Sequence, residues 1–176
     1  MSRASPRASE RGGAAQWHLA QFNVARLHQP LDHPGTAEFV AALGSINDVA
    51  ESSPGFVWRL QDDDGQSSSY VVVYDDPLMI INFSVWETVE DLNQFVYKSA
   101  HTTYLRRRRE WFSKSDEAYL VCWWVPAGTI PSVEEAVVRL ERLRREGSGD
   151  DVFTLRDARH APTTPTEATT ATEATA

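Results

Sequence analysis

The chain has 176 residues, the size of one ordinary domain, with 25 acidic against 17 basic residues and a formal net charge of −8. That balance argues against general nucleic-acid binding. The single cysteine, Cys122, rules out a disulfide framework or a Cys-rich metal motif within the chain, and no run of about 18 apolar residues predicts a transmembrane helix.

Residues 1–15 are small, polar and glycine-containing, without the apolar stretch of a secretory signal. They are predicted to be disordered, and the protein to be cytoplasmic. Trp17–Asn23 alternates as a strand, with His18, Ala20 and Phe22 on one face and Trp17, Leu19, Gln21 and Asn23 on the other. A Pro30/Pro34 loop precedes a helix predicted over Thr36–Ser52, which Ser53-Pro54-Gly55 ends. Phe56–Leu60 reads as a second strand, with Phe56, Trp58 and Leu60 facing one way. Asp62-Asp63-Asp64-Gly65 reads as a plain acidic turn, because the ligand spacing of an EF-hand is missing. Ser67–Tyr74 is a candidate short extra strand.

Leu78–Trp86 is the next strand, with Asn82, Ser84 and Trp86 on one face and Met79, Ile81, Phe83 and Val85 on the apolar other. Thr88 and Asp91 cap a helix with the stripe Val89, Leu92, Phe95, Val96. After a kink predicted near Ser99, helical spacing puts His101, Tyr104, Leu105, Arg108, Trp111 and Phe112 on one face, with Arg106, Arg107 and Glu110 opposite. Tyr119–Val125 is a strand with a tandem Trp pair. Ser132 and Glu135 form a capping box for the last helix, and Asp151–Arg156 is a candidate final strand. The tail 162–176 is low-complexity and predicted to be disordered, leaving 16–161 as the domain.

The element order contains βαββαβ, so the predicted fold is α+β, ferredoxin-like, with an antiparallel sheet and extra helices. Helices on one face of that sheet would leave its other, Trp-rich face to a second subunit, which predicts a homodimer.

No phosphate-binding loop, HExxH or GxSxG motif is present. The chemistry therefore has to come from a polar-aromatic helix face set against a strand. His101 is either a proton-transfer group or a hydrogen-bonded structural histidine. Arg108 pairs either with a carboxylate or with a ligand oxyanion. Asn82 and Trp86, four residues apart on one strand face, suit a carbonyl oxygen and a flat ring.

The stretches LAQFNVARLHQPLD (19–32), SPGFVWRLQ (53–61), INFSVWE (81–87), FVYKSAH (95–101), RRRREWF (106–112) and CWWVPAGTIPSVEEAVVRL (122–140) resemble the bacterial family DUF3291, over residues 17–161. That family is similar to the dimeric α/β-barrel superfamily, in which two ferredoxin-like subunits join their sheets. Its members include cofactor-free quinone-forming monooxygenases, haem-degrading monooxygenases, chlorite-dismutase-like haem proteins and muconolactone isomerase-like enzymes. The resemblance implies a small-molecule enzyme acting on an oxygenated, polyketide- or aromatic-type metabolite. A cofactor-free monooxygenase comes first; a cyclase or isomerase, a haem-handling protein and a non-catalytic ligand-binding dimer are the alternatives. Only Asn82 and Trp86 match the strand Asn and Trp of the cofactor-free monooxygenases. The expected catalytic set is His101, Tyr104, Arg108 and Asn82, with Trp58, Trp86, Trp111 and Trp124 as substrate-binding surfaces. No metal or cofactor is expected, haem being less favoured, and no nucleic-acid or membrane partner.

Overall fold

A computed structural model describes residues 17–99 and 101–162. The predicted disordered segment 1–15 and nearly all of the predicted tail, 162–176, lie outside the described residues. Four strands, β1 (Trp17–Arg26), β2 (Phe56–Arg59), β3 (Met79–Trp86) and β4 (Leu120–Pro126), form one sheet in the order β2-β3-β1-β4. Every adjacent pair is antiparallel. With α1 (Ala37–Glu51) between β1 and β2, and α2 (Val89–Lys98) and α3 (His101–Arg107) between β3 and β4, this is the ferredoxin-like α+β fold. Among the described residues no helix is long and apolar enough to cross a membrane.

Strand alternation divides the central residues into two faces. The first carries Leu19, Gln21 and Asn23 on β1 beside Trp86, Ser84 and Asn82 on β3. Ala50 of α1, Leu92, Phe95 and Val96 of α2, and Phe153 and Leu155 pack at its Trp86 end. The second carries Ala20, Phe22, Val24, Ile81, Phe83, Val85, Val121 and Trp123. It is covered by α4 (Val133–Glu146) through Ala136, Leu140 and Leu143, and by Val71, Val73 and Tyr74. Helices therefore lie on both faces. The apolar face expected to need a second subunit is buried within the chain, because the helix after β4 folds back across it. Each large side chain closed off in this way contributes on the order of 1.5–3 kcal/mol.

Local differences from the sequence reading have physical reasons. Ser67–Tyr74 is a 3-10 turn at Ser68–Tyr70 followed by irregular chain, started by Ser67 Oγ accepting from Ser69 N at 3.2 Å. Asp151–Arg156 pairs with β4 through one bridge only, Cys122 with Phe153. The predicted kink is a complete break: Ser99 is extended at the C-cap of α2, and a new helix starts at His101. The acidic turn is closed by Asp62, whose backbone oxygen accepts from Gly65 N at 3.0 Å and whose carboxylate accepts from Gln66 N.

Candidate active site between the sheet and the helices

A line of polar side chains crosses the first face of the sheet. Trp86 is fully buried, and its Nε1 donates to Ser84 Oγ at 2.9 Å. Ser84 Oγ donates to Gln21 Oε1 at 3.1 Å, and Gln21 Nε2 donates to Asn23 Oδ1 at 2.7 Å. Gln21 and Ser84 are 4% and 7% exposed, so this is a buried network with its groups satisfied. Asn23 is half-buried and stands in register with Asn82, which is exposed. Cross-strand neighbours have Cβ atoms about 4.5–5.5 Å apart, so the two amides are side by side at the open end of the line. Among the described residues the Asn82 side chain makes no hydrogen bond.

Apolar groups frame the line. The Trp86 ring stacks on Phe95 of α2 at 5.2 Å and meets Phe56 edge-on at 5.4 Å. At the other end of β3, Tyr104 of α3 packs with Ile80, Phe39 and Trp111. Along β3, Ser84 and Asn82 lie between Trp86, which packs on α2, and Ile80, in the cluster that Tyr104 of α3 joins. Arg59 lies on the same face, in register with Ser84. Its side chain is 12% exposed; Nε pairs with Glu51 at 2.7 Å and Nη1 donates to Gln66 O.

The expected residues distribute unevenly. Asn82 and Trp86 share the line, and Tyr104 borders it. Residue 101 begins α3, and its side chain lies outside the described part of the structure. Arg108 is corrected: it is exposed, because α3 ends at Arg107 and Arg108–Glu110 continues as a 3-10 turn. Such a turn has about three residues per turn and breaks the helical phase that placed Arg108 inward. Arg107 packs against Trp111 instead. Trp58 is corrected too. A bulge between Phe56 and Trp58 sets Trp58 opposite Val85 on the second face, edge-on to Phe83 at 5.4 Å, so the sheet separates it from Trp86. Trp111 is buried against Phe39 at 5.8 Å. Trp124 sits on the first face in register with Leu19, and its Nε1 donates to Arg159 O at 2.9 Å.

Sequence reasoning missed Gln21, Asn23 and Arg59 as site residues. The signal for the first two was present: a strand buried on both faces that carries two amides on one of them. The signal for Arg59 was hidden by the bulge. Of the described histidines, His18 lies on the second face. His28 contacts Ser113 Oγ and Arg109 O, His33 Nδ1 accepts from Gly35 N, and His160 is exposed. Cys122 is buried beneath the same layer, and burial pushes its thiol pKa up, so it is not a nucleophile at neutral pH.

Fold and site together define a ferredoxin-like α+β protein with a buried polar line on the first face of its sheet, flanked by aromatic side chains. The chain belongs to the family described as Domain of unknown function (DUF3291), whose model matches residues 18–170. No curated protein matches the sequence. Among solved structures, the chain is similar to a protein of unknown function from Nitrosomonas europaea, with 13% identity and a TM-score of 0.42 over 67% of this chain and 98% of that one. It is also similar to SnoaB, a cofactor-independent oxygenase from Streptomyces nogalater, with 15% identity and a TM-score of 0.40 over 65% of this chain and 98% of that one.

Proposed function

We propose that this protein is a small-molecule enzyme that binds a flat, oxygenated metabolite of polyketide or aromatic type between the sheet and α2/α3, and that it is a cofactor-free monooxygenase. One observation carries the reading: a buried amide–hydroxyl line beside an aromatic cluster ends in two neighbouring amides, Asn23 and Asn82, with Asn82 left unbonded among the described residues. A polar line of this kind is costly to build into a core and suits the oxygen of a bound ketone.

In this reading the amides hold the ketone oxygen as a neighbouring C–H is deprotonated. His101 on α3 receives that proton, with the Tyr104 hydroxyl on the same helix available to relay it. The resulting enolate, its charge held by the two amides, reduces dioxygen and forms a carbon–oxygen bond. The hydroperoxide then loses water: the methylene becomes a carbonyl, one oxygen atom stays in the product and the other leaves in the water. The dioxygen is the oxidant, and no metal or flavin is required.

A cyclase or isomerase would use the same amides and proton acceptor without oxygen. The test is turnover of 1,8-dihydroxyanthrone in air and under argon, followed as quinone absorbance, with wild type and Asn82→Ala. Quinone formation in air alone, lost in the variant, supports the oxygenase. Conversion under argon to an isomeric product supports the second reading. Neither conversion nor binding of any flat ketone overturns both.

A further inference from the structure

The hydrogen bonds along the polar line have one consistent direction, and chemistry fixes it at the Trp86 end. An indole N–H donates and never accepts. Ser84 Oγ therefore accepts from Trp86 and has its own proton to place; the acceptor at hand is Gln21 Oε1, 3.1 Å away. That contact decides which end of the Gln21 amide faces Ser84. The other end, Nε2, then donates to Asn23 Oδ1 at 2.7 Å. With its oxygen used in this way, Asn23 has Nδ2 as its uncommitted end. Turning the Gln21 amide over would leave the buried Ser84 proton without an acceptor in the line, a costly arrangement at a site 7% exposed.

We propose that Gln21 and Ser84 are positioning residues that hold the Asn23 amide with its donor end toward the cleft, and that this selects ligands presenting an acceptor oxygen, a ketone or enolate, over ligands presenting a hydroxyl donor. Trp86 N–H anchors the line and does not contact the ligand; its ring, fully buried against Phe95 and Phe56, fixes that anchor in place. The inference rests on the reading of the cleft as a ketone site.

The direction of the line is tested without any ligand, by proton exchange of side-chain amides in 15N-labelled full-length protein. The Gln21 Nε2 proton donated to Asn23 Oδ1 is expected to exchange at least about tenfold more slowly than those of Asn23 Nδ2, which have no acceptor among the described residues. Protected Asn23 with fast Gln21 overturns the proposal. The selectivity is tested with Gln21→Glu above neutral pH. A carboxylate only accepts, so Asn23 must turn and donate to it, presenting its oxygen to the cleft. Binding of 1,8-dihydroxyanthraquinone, read by tryptophan quenching, is then expected to weaken about tenfold while the Asn23 amide becomes protected. Unchanged quinone affinity in a folded Gln21→Glu protein overturns the selectivity. If that variant does not fold, Ser84→Ala, which frees the Gln21 amide from its fixed setting, is expected to narrow the exchange difference in the same way; an undiminished difference overturns the proposal. A wild type with the expected exchange pattern but no affinity for the quinone removes the ketone reading and leaves the line's direction standing. The reverse pattern in a quinone-binding wild type does the opposite.

Discussion

Arg107 lies over Trp111, its Cζ 4.9 Å from the ring centroid, while the next residue, Arg108, is exposed. The same guanidinium donates to both oxygens of Glu38 on α1 and to Glu110 Oε2 at 2.7 Å, joining α3 to α1 around the aromatic packing of Phe39 and Trp111. Replacing Arg107 by Met is expected to lower the melting temperature by several degrees, because a stacked, bidentate arginine loses packing and hydrogen bonds together. Arg108→Met is expected to leave it unchanged. Thermal denaturation of the two variants side by side checks this; an Arg108→Met protein that melts lower than Arg107→Met would contradict it.

Acid should weaken the same junction. The hydrogen bonds from Arg107 lower the carboxyl pKa values of Glu38 and Glu110 below their ordinary 4.5. A carboxyl lowered in the folded state binds more protons when unfolded, so its contribution to stability is present above the ordinary value. It is lost as the pH falls through the lowered one. Melting temperature is therefore expected to drop as the pH passes below about 4.5, and the drop should be smaller in Glu38→Gln. An equal drop in that variant would assign the acid sensitivity elsewhere.

Asn82 separates binding from stability. Its side chain is exposed and makes no hydrogen bond among the described residues, so Asn82→Ala should change stability by less than about 0.5 kcal/mol. Loss of one donor to a ligand oxygen should weaken quinone binding by about two- to tenfold. Titration by tryptophan quenching, with a melting curve on the same sample, reads both quantities.

Gly55 is fixed by backbone and by space. Its φ is +72°, where a side chain is strained, and an added Cβ would run into the Asp91 carboxylate. That carboxylate accepts from Thr88 Oγ1 at 2.6 Å, and Thr88 Oγ1 in turn accepts from Asp91 N at 3.1 Å in the cap of α2. Gly55→Ala is expected to cost about 1–3 kcal/mol in denaturant unfolding. A cost near zero would show that Asp91 can move aside and the turn can relax.

The alternation of Leu19, Gln21 and Asn23 on β1, the pattern Asn82-Ser84-Trp86 on β3, and the caps at Thr88 and Ser132 were set by local rules: a period of two for strands and an oxygen placed to receive a free helical N–H. These rules act over a few residues, so the βαββαβ core order, the ferredoxin-like class and the pairing of Asn82 with Trp86 on one face were legible in the sequence by itself. Tertiary structure decided what depends on elements far apart in the chain. The register of β1 on β3 set Gln21 beside Ser84 and Asn23 beside Asn82, turning separate polar residues into one line. The bulge at β2 moved Trp58 to the other face and brought Arg59 to this one, because one extra residue inverts a strand's alternation. The 3-10 turn after Arg107 broke the helical count that placed Arg108 inward, and the return of α4 covered the face that sequence reasoning assigned to a second subunit. In each case the deciding term is packing and hydrogen bonding between segments distant in sequence, which no local period encodes.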